Sequence, residues 1–294
     1  MRSIGEFALI EASGLTPGVW AGTIAARDID GKRVDFKADT LNGDKTRLRL
    51  AELLRPSSLA WLDLEHGTRL VVLGEAAGGG GLASVGARWA GDEVRFAGVG
   101  ARFAGDAAIL HVSGTAVAFT TADCVPVVVS CLGGGKSEAA AGQGEAVAGQ
   151  GEIVAGQPWA LAIHAGWRGI AEGIIGQALA RFLMLSSVDA SQCQAWIGLA
   201  IDQPNYEVGE EAYLRLMKQP TVRDNSDRLL VPNRPGHWLA DLPGMAEALL
   251  APAGITNAQV KRSGLSTYNE AWLHSARRDG EASGRMATVV GIEP

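Results

Sequence analysis

The sequence predicts a mixed-sheet fold, α+β or α/β in class, in place of a simple doubly wound sheet. Two observations carry this. Stretches of strand character follow one another directly, as at residues 116–121 and 125–131, so strands and helices alternate irregularly. In addition, there is no GxGxxG after a strand and no GxxxxGK[ST], the phosphate-loop signatures of doubly wound domains. The chain has 294 residues with 47% hydrophobic side chains, enough for one large domain or two small ones.

The elements are read in order. Residues 70–73 form a short strand. Residues 116–121 and 125–131 form two strands broken by the turn-like Ala122-Asp123-Cys124, and 159–163 another. Ile170, Ile174, Ala178, Leu179 and Phe182 repeat at helical spacing, which predicts a helix over 170–185 with one buried face. A strand over 195–201, a helix over 209–218 and a helix over 242–250 stopped by Pro252 complete the reading. Two stretches read as surface insertions. Residues 74–105 open on four glycines and then alternate, as a peripheral hairpin after a flexible loop would. Residues 133–157 hold a near-repeat, AGQGEAV then AGQGEIV. Two glycines per unit, each costing a helix interior about 1 kcal/mol relative to alanine, make this a low-complexity loop and not a heptad seam.

Composition narrows the function classes. A net charge of −6 argues against nucleic-acid or anionic-membrane partners, which need clustered Lys and Arg. Glu6 and Glu11 interrupt the start of the chain, so no secretory signal is expected, and the apolar runs are too short to span a bilayer. A cytoplasmic protein is the expectation. Three cysteines, none in a CxxC, suit reduced thiols, and Cys131 and Cys193 read as small buried hydrophobes.

Context separates the five histidines. His66 sits in Leu-Glu-His-Gly-Thr, where Gly67 allows close backbone approach. His164 ends an apolar strand and enters His-Ala-Gly-Trp-Arg-Gly just before a helix, where α/β enzymes place reactive groups. Cys124 precedes Pro126, which cannot donate to a sheet ladder, so the chain must leave regular pairing there. Spacing by itself does not join these three, because no compact motif such as HExxH is present. Asp123 either orients a ligand or caps the turn. Tyr206 and Trp167 either stack on a ligand or pack in the core. His274 is a weaker catalytic candidate, and His111 and His237 read as structural or solvated.

The strings LEHGTRLVVL, TADCVPVVV, IHAGWRGIAEGI, WIGLAIDQPNYEVGEE, STYN and SARRDGEASGRMATVVGI resemble, in order, the YfiH-like family. That family was formerly labelled multicopper polyphenol oxidase (laccase), and is described as purine nucleoside phosphorylase with adenosine deaminase activity and also as a peptidoglycan editing factor. The resemblance spans residues 59–292. It implies a single α+β catalytic domain over residues 1–294, with mixed sheets packed together and flanked by helices. It also implies a metal held by His66, Cys124 and His164. Cysteines that the family carries near the Tyr-Glu-Val-Gly string and the Thr-Tyr pair are absent here, where Pro204, Asn205, Ser266 and Asn269 stand.

Two imidazoles and a thiolate suit zinc, and copper would also accept them. A laccase needs about ten histidines for its four coppers, and this chain has five. Phosphorolysis, the activity the resemblance implies, calls for a purine nucleoside and phosphate as small-molecule partners and for an anion pocket. Arg168, Arg277, Arg278 and Arg285 are the candidates for it, since guanidinium forks match phosphate oxygens in pairs. Tyr206 is the candidate for the base. Two rival readings stand beside this one. One is a Cys124–His164 amidase that edits a peptidoglycan precursor, and the other is a non-catalytic metal or redox binding protein.

Overall fold

Alternation along the core strands dictates the layering. The computed structural model describes residues 2–38, 40–54, 58–75, 85–89, 92–95, 101–134 and 155–294. In the strand Val125–Leu132, Val127, Val129 and Cys131 meet the helix residues Ile174, Ala178, Leu179 and Phe182. Val128, on the opposite face, packs with Val117, Phe119 and Val290 of another sheet. The next strand, Pro158–Ala165, repeats this. Leu161 and Ile163 face the helices, while the small Ala160 and Ala162 face the second sheet and let the two sheets approach. Being buried on both faces, such strands read as continuous apolar runs.

The eight-stranded sheet has the order Val260–Arg262, Gln194–Ile197, Val125–Leu132, Pro158–Ala165, Ala107–Leu110, Leu70–Glu75, Val85–Trp89, Asp92–Arg95. Helices Ile174–Ser186 and Leu242–Leu250 cover its outer face. The seven-stranded sheet has the order Arg2–Ile4, Phe7–Glu11, Val19–Asp28, Met286–Ile292, Thr115–Thr121, Ser58–Asp63, Arg102–Ala104. Its far face packs Ala116, Ala118 and Val289 on Leu50 and Ala51 of the helix Leu41–Leu53, whose N-cap is Thr40. A small antiparallel sheet of Glu207–Gly209, His237–Ala240 and Leu230–Arg234 completes the fold. The architecture is therefore α+β, with mixed sheets stacked and flanked by helices.

Two expectations need correction. The single helix over 170–185 is two, Trp167–Glu172 and Ile174–Ser186. Gly173 takes φ 87° between them, a left-handed conformation that ends one helix and redirects the chain. The strand expected to reach residue 201 stops at Ile197, and position 198 is a glycine because a Cβ there would lie 2.7 Å from the Trp196 ring. Of the two stretches read as insertions, residues 76–84, 90–91, 96–100 and 135–154 lie outside the described residues. Val85–Trp89 and Asp92–Arg95 pair antiparallel at the end of the eight-stranded sheet.

Trp196 fills the space between the two sheets and is 1% exposed. Trp196→Ala is expected to lower unfolding stability by about 3–5 kcal/mol in urea titration, the usual cost of a large aromatic cavity.

Candidate metal centre

The site forms where the interlayer between the sheets opens at one end. Strand alternation places His164 on the same face as Ala160 and Ala162, and its ring lies 6.3 Å from that of Phe119 across the gap. The expectation that the chain leaves regular pairing at Pro126 is not met: the proline is the second residue of its strand and stays in register with His164, which brings Cys124, two residues earlier, beside it. His66 comes from the loop between Ser58–Asp63 and Leu70–Glu75. The ligand atoms of His66, Cys124 and His164 all lie within 4.8 Å of one another. The two imidazole rings meet edge to face at 5.1 Å.

Asp106 holds this arrangement. It is fully buried. Its Oδ1 accepts from the His66 backbone N–H at 2.9 Å and from His164 Nδ1 at 3.1 Å, and its Oδ2 accepts from the Gly67 N–H at 2.9 Å. Its backbone carbonyl accepts from the His164 N–H at 2.8 Å. His66 has φ 58°, a strained value for a side chain of its size, and the two carboxylate bonds compensate for it. With Nδ1 donating to Asp106, His164 turns Nε2 toward the centre, the tautomer a metal ligand needs. Burial opposes the Asp106 charge, but the His164 ring and the Gly67 and His66 N–H groups outweigh it and hold the carboxyl below its usual range.

Cys124 is held by a different carboxylate. Asp123 has φ 89°. Its Oδ1 accepts from the Thr267 hydroxyl at 2.6 Å, its Oδ2 from the Arg277 N–H at 2.7 Å, and its carbonyl from the Ile201 N–H at 3.1 Å. Asp123 thus anchors the turn and does not bond a ligand ring. Two of the three non-glycine residues with positive φ among the described residues, His66 and Asp123, stand at this site. Gly166 completes the pocket. A Cβ there would lie 3.0 Å from Cys124 Sγ and 3.8 Å from each imidazole ring, in the space the three donors share.

The donor set and this cradle fit a single metal ion. Tetrahedral zinc, with bonds of about 2.0–2.3 Å, spaces its ligands by roughly 3.3–3.8 Å, within reach of small side-chain rotations here. His66 is pushed below its ordinary value by burial and by the neighbouring His164 charge, so it offers a neutral nitrogen. His164 behaves oppositely in the metal-free chain. Burial disfavours its charge, but Cys124 and Asp106 prevail and raise it to about 9.

The arginines divide. Arg168 stacks on Trp167 at 4.4 Å, and its charge reaches both His66 and Tyr206. Arg277 covers Tyr206 at 4.7 Å and donates to the Glu207 carbonyl at 2.8 Å. The charge of Arg285 reaches His66. Arg278 is different. Its guanidinium donates to Asp279, to the carbonyls of Thr267, Tyr268 and Glu270, and to the Leu273 carbonyl. All five of its N–H groups are used, so it braces the 267–273 turn and has none to offer phosphate. Tyr206 is mostly buried, and burial together with nearby Cys124 pushes its phenol up, which keeps it a neutral donor. Its hydroxyl makes no hydrogen bond among the described residues.

Trp167 packs on the core, with the guanidiniums of Arg168 and Arg215 4.4 and 5.4 Å from its ring. His274 donates to the Val34 carbonyl at 2.7 Å, away from the centre. His111 stacks on Trp159, and His237 bonds the Pro235 carbonyl. Sequence reasoning missed Asp106 and Gly166. The only signal for Asp106 was an acidic residue at the head of the buried run Ala107–Leu110, a place where a carboxylate survives only with partners.

Two stacked mixed sheets with a carboxylate-braced His/Cys/His cluster at their open end define the class of protein. The chain belongs to the family described as multi-copper polyphenol oxidoreductase laccase, which matches residues 18–144 and 155–293, and which is the YfiH-like family. A purine nucleoside phosphorylase of Xylella fastidiosa (strain 9a5c) is 30% identical over 64% of this chain and 60% of its own length. Purine nucleoside phosphorylase YfiH of Escherichia coli K12 is 27% identical over 64% of this chain and 63% of its own. These matches thus span about six-tenths of those relatives. One of Deinococcus radiodurans is 29% identical over 94% of this chain and 85% of its own length. The crystal structure of YlmD from Geobacillus stearothermophilus superposes with a TM-score of 0.72 at 21% identity, covering 100% of this chain and 98% of that one. At that identity the likeness establishes the fold. Among the described residues no helix is long and apolar enough to cross a membrane.

Asp106→Asn is expected to weaken metal binding by about 10–100-fold in competition with a chelator, since it removes the brace on two ligands at once. A pH dependence also follows. Below about 9, His164 carries a proton that a metal must displace. Apparent metal affinity should therefore rise with pH up to about 9. Calorimetry at pH 7 in buffers of differing ionisation enthalpy should record release of at least one proton per metal.

Proposed function

We propose that the chain is a metal-dependent purine nucleoside phosphorylase, converting nucleoside and phosphate to free base and ribose-1-phosphate, with zinc as the metal. The observation that carries this is the convergence of His66, Cys124 and His164 on one point, beside Arg168, Arg277, Arg285 and Tyr206. Relatives that bear the phosphorylase name support it. Zinc, or copper, in the cluster would supply a positive charge that polarises a substrate oxygen. The protein's own groups do the rest. Arg168 and Arg285 place charge beside His66 and suit an anion such as phosphate. Tyr206, covered by Arg277 and within electrostatic reach of Cys124, keeps a neutral hydroxyl that can orient a base or ribose. If the pocket instead presented the purine ring to a water activated at the cluster, attack at C6 with release of ammonia would give adenosine deamination. Arg278 has no part in anion binding.

One observation favours a second reading. Cys124, His164 and Asp106 are linked in series, as a nucleophile, a base and its orienting carboxylate are in cysteine amidases. A Cys–His pair does not need His66 aimed at the same point, and this places the metal reading first.

Metal analysis of the purified protein beside adenosine and inosine assays, with and without phosphate, tests the proposal. About one zinc per chain with phosphate-dependent release of base is expected. Metal-free protein that hydrolyses an amide would overturn it in favour of the amidase. Cys124→Ala should abolish both metal content and base release. Arg168→Ala should raise the KM for phosphate about 10-fold or more while leaving metal content unchanged.

A further inference from the structure

Three clusters outside the metal centre carry reactive or charged groups. One is a cleft of about 440 Å³ lined by Arg27, Arg33, Trp272 and His274. Its arginines are exposed and donate to the Gly31 and Ala282 carbonyls, and acidic Asp28 and Asp279 stand close, so its charge is mixed. Another is the polar knot of Asp202, Asn205, Ser266 and Asn269, whose donors and acceptors satisfy one another. The third is the remaining pair of cysteines, and it carries an inference.

Ser130 pairs with Gln194 in the antiparallel ladder between Val125–Leu132 and Gln194–Ile197. Continued one position past the last ladder pair, this register sets Cys131 opposite Cys193, the residue just before the strand Gln194–Ile197. Both are fully buried on the helix-facing side, in one hydrophobic cluster. Directly opposed residues of an antiparallel pair have Cα atoms about 4.5–5.5 Å apart, inside the roughly 4.4–6.8 Å that a disulfide spans. The two thiols are close enough to influence each other's protonation, and the Cys193 thiol also reaches the Asp189 carbonyl at 3.9 Å. Ladder pairing therefore builds what spacing along the sequence could not show, a dithiol formed by two of the chain's three cysteines.

We propose that Cys131 and Cys193 form a redox-active cross-strand dithiol that closes to a disulfide by exchange with a small-molecule disulfide. The sulfur of Cys131 attacks one sulfur of the reagent RS–SR and expels one RS⁻, leaving a mixed disulfide. Cys193 then gives up its proton and attacks the Cys131 sulfur, which expels the second RS⁻. The protein loses two electrons and two protons, and the reagent leaves as two RSH. Cys131 is the attacking sulfur because it adjoins exposed Leu132 at the strand end, and because its neighbours Cys193 and Ser186 hold its thiol below the usual range, whereas Cys193 is pushed up. The reagent enters at the strand end, where the adjoining Leu132 is 45% exposed, so opening the last rung of the ladder uncovers the pair. Cys124 lies about 23 Å away along the same strand, too far to join the exchange.

The test is to incubate the native, metal-loaded protein with oxidised glutathione, quench with acid, unfold, alkylate and map the peptides. The expected result is a peptide pair joined through Cys131 and Cys193, a mass loss of about 2 Da at that pair, and unchanged metal content. Alkylation of both cysteines after treatment of native protein, or linkage only when the protein is unfolded first, would overturn the proposal. Cys193→Ala should trap glutathione on Cys131 with no loss of metal. Absence of that adduct would overturn the assignment of Cys131 as the attacking sulfur.

Discussion

Asp106 receives four hydrogen bonds from two segments nearly a hundred residues apart in the chain: the loop of His66 and Gly67, and His164 through both its ring and its backbone N–H. A carboxylate inside a protein is costly unless donors surround it, and here each donor comes from a ligand or its neighbour. Satisfying the charge and assembling the metal cluster are therefore one act. The strained backbone of His66 is held by this cost. Releasing that loop would leave a buried anion with two oxygens short of partners.

The same logic recurs one turn away. Asp123 takes an unfavourable backbone conformation and ties Cys124 to Thr267 and Arg277. Arg277 in turn covers Tyr206, and Arg278 gathers the carbonyls of the 267–273 turn. The pocket wall is thus one connected network, and the pocket exists because Gly166 leaves the shared space empty. Such preorganisation is what a site needs if its groups are to meet a developing charge without rearranging. The sheets beneath contribute rigidity. Small Ala160 and Ala162 bring them close, and Phe119 backs the ring of His164.

Much of this was legible in the sequence, and the reasons are specific. The apolar runs at 125–131 and 159–163 announced strands, and local context marked His66, Cys124 and His164 as candidates without joining them. Their union as one metal set came only from the family resemblance, because no compact spacing links residues 66, 124 and 164. Asp106 was not legible, since its meaning lies in donors 39 to 58 residues away in the chain. Arg277 and Arg278 looked alike in sequence. Only folding spends one on carbonyls and lays the other over an aromatic ring. Gly173 was also hidden, because a 3.6-residue pattern runs unbroken across it while the backbone does not. The strands Phe7–Glu11 and Val19–Asp28 went unread too, as their ladder partners lie partly at the far end of the chain, in Met286–Ile292.

The central claim is that one ion is bound by two imidazoles and one thiolate braced by Asp106. X-ray absorption at the zinc edge of the purified protein tests it most directly. The account predicts a first shell with one sulfur at about 2.3 Å and two imidazole nitrogens at about 2.0 Å. A shell of oxygens alone, or a protein that takes up no metal while its three donors are intact and reduced, would contradict it.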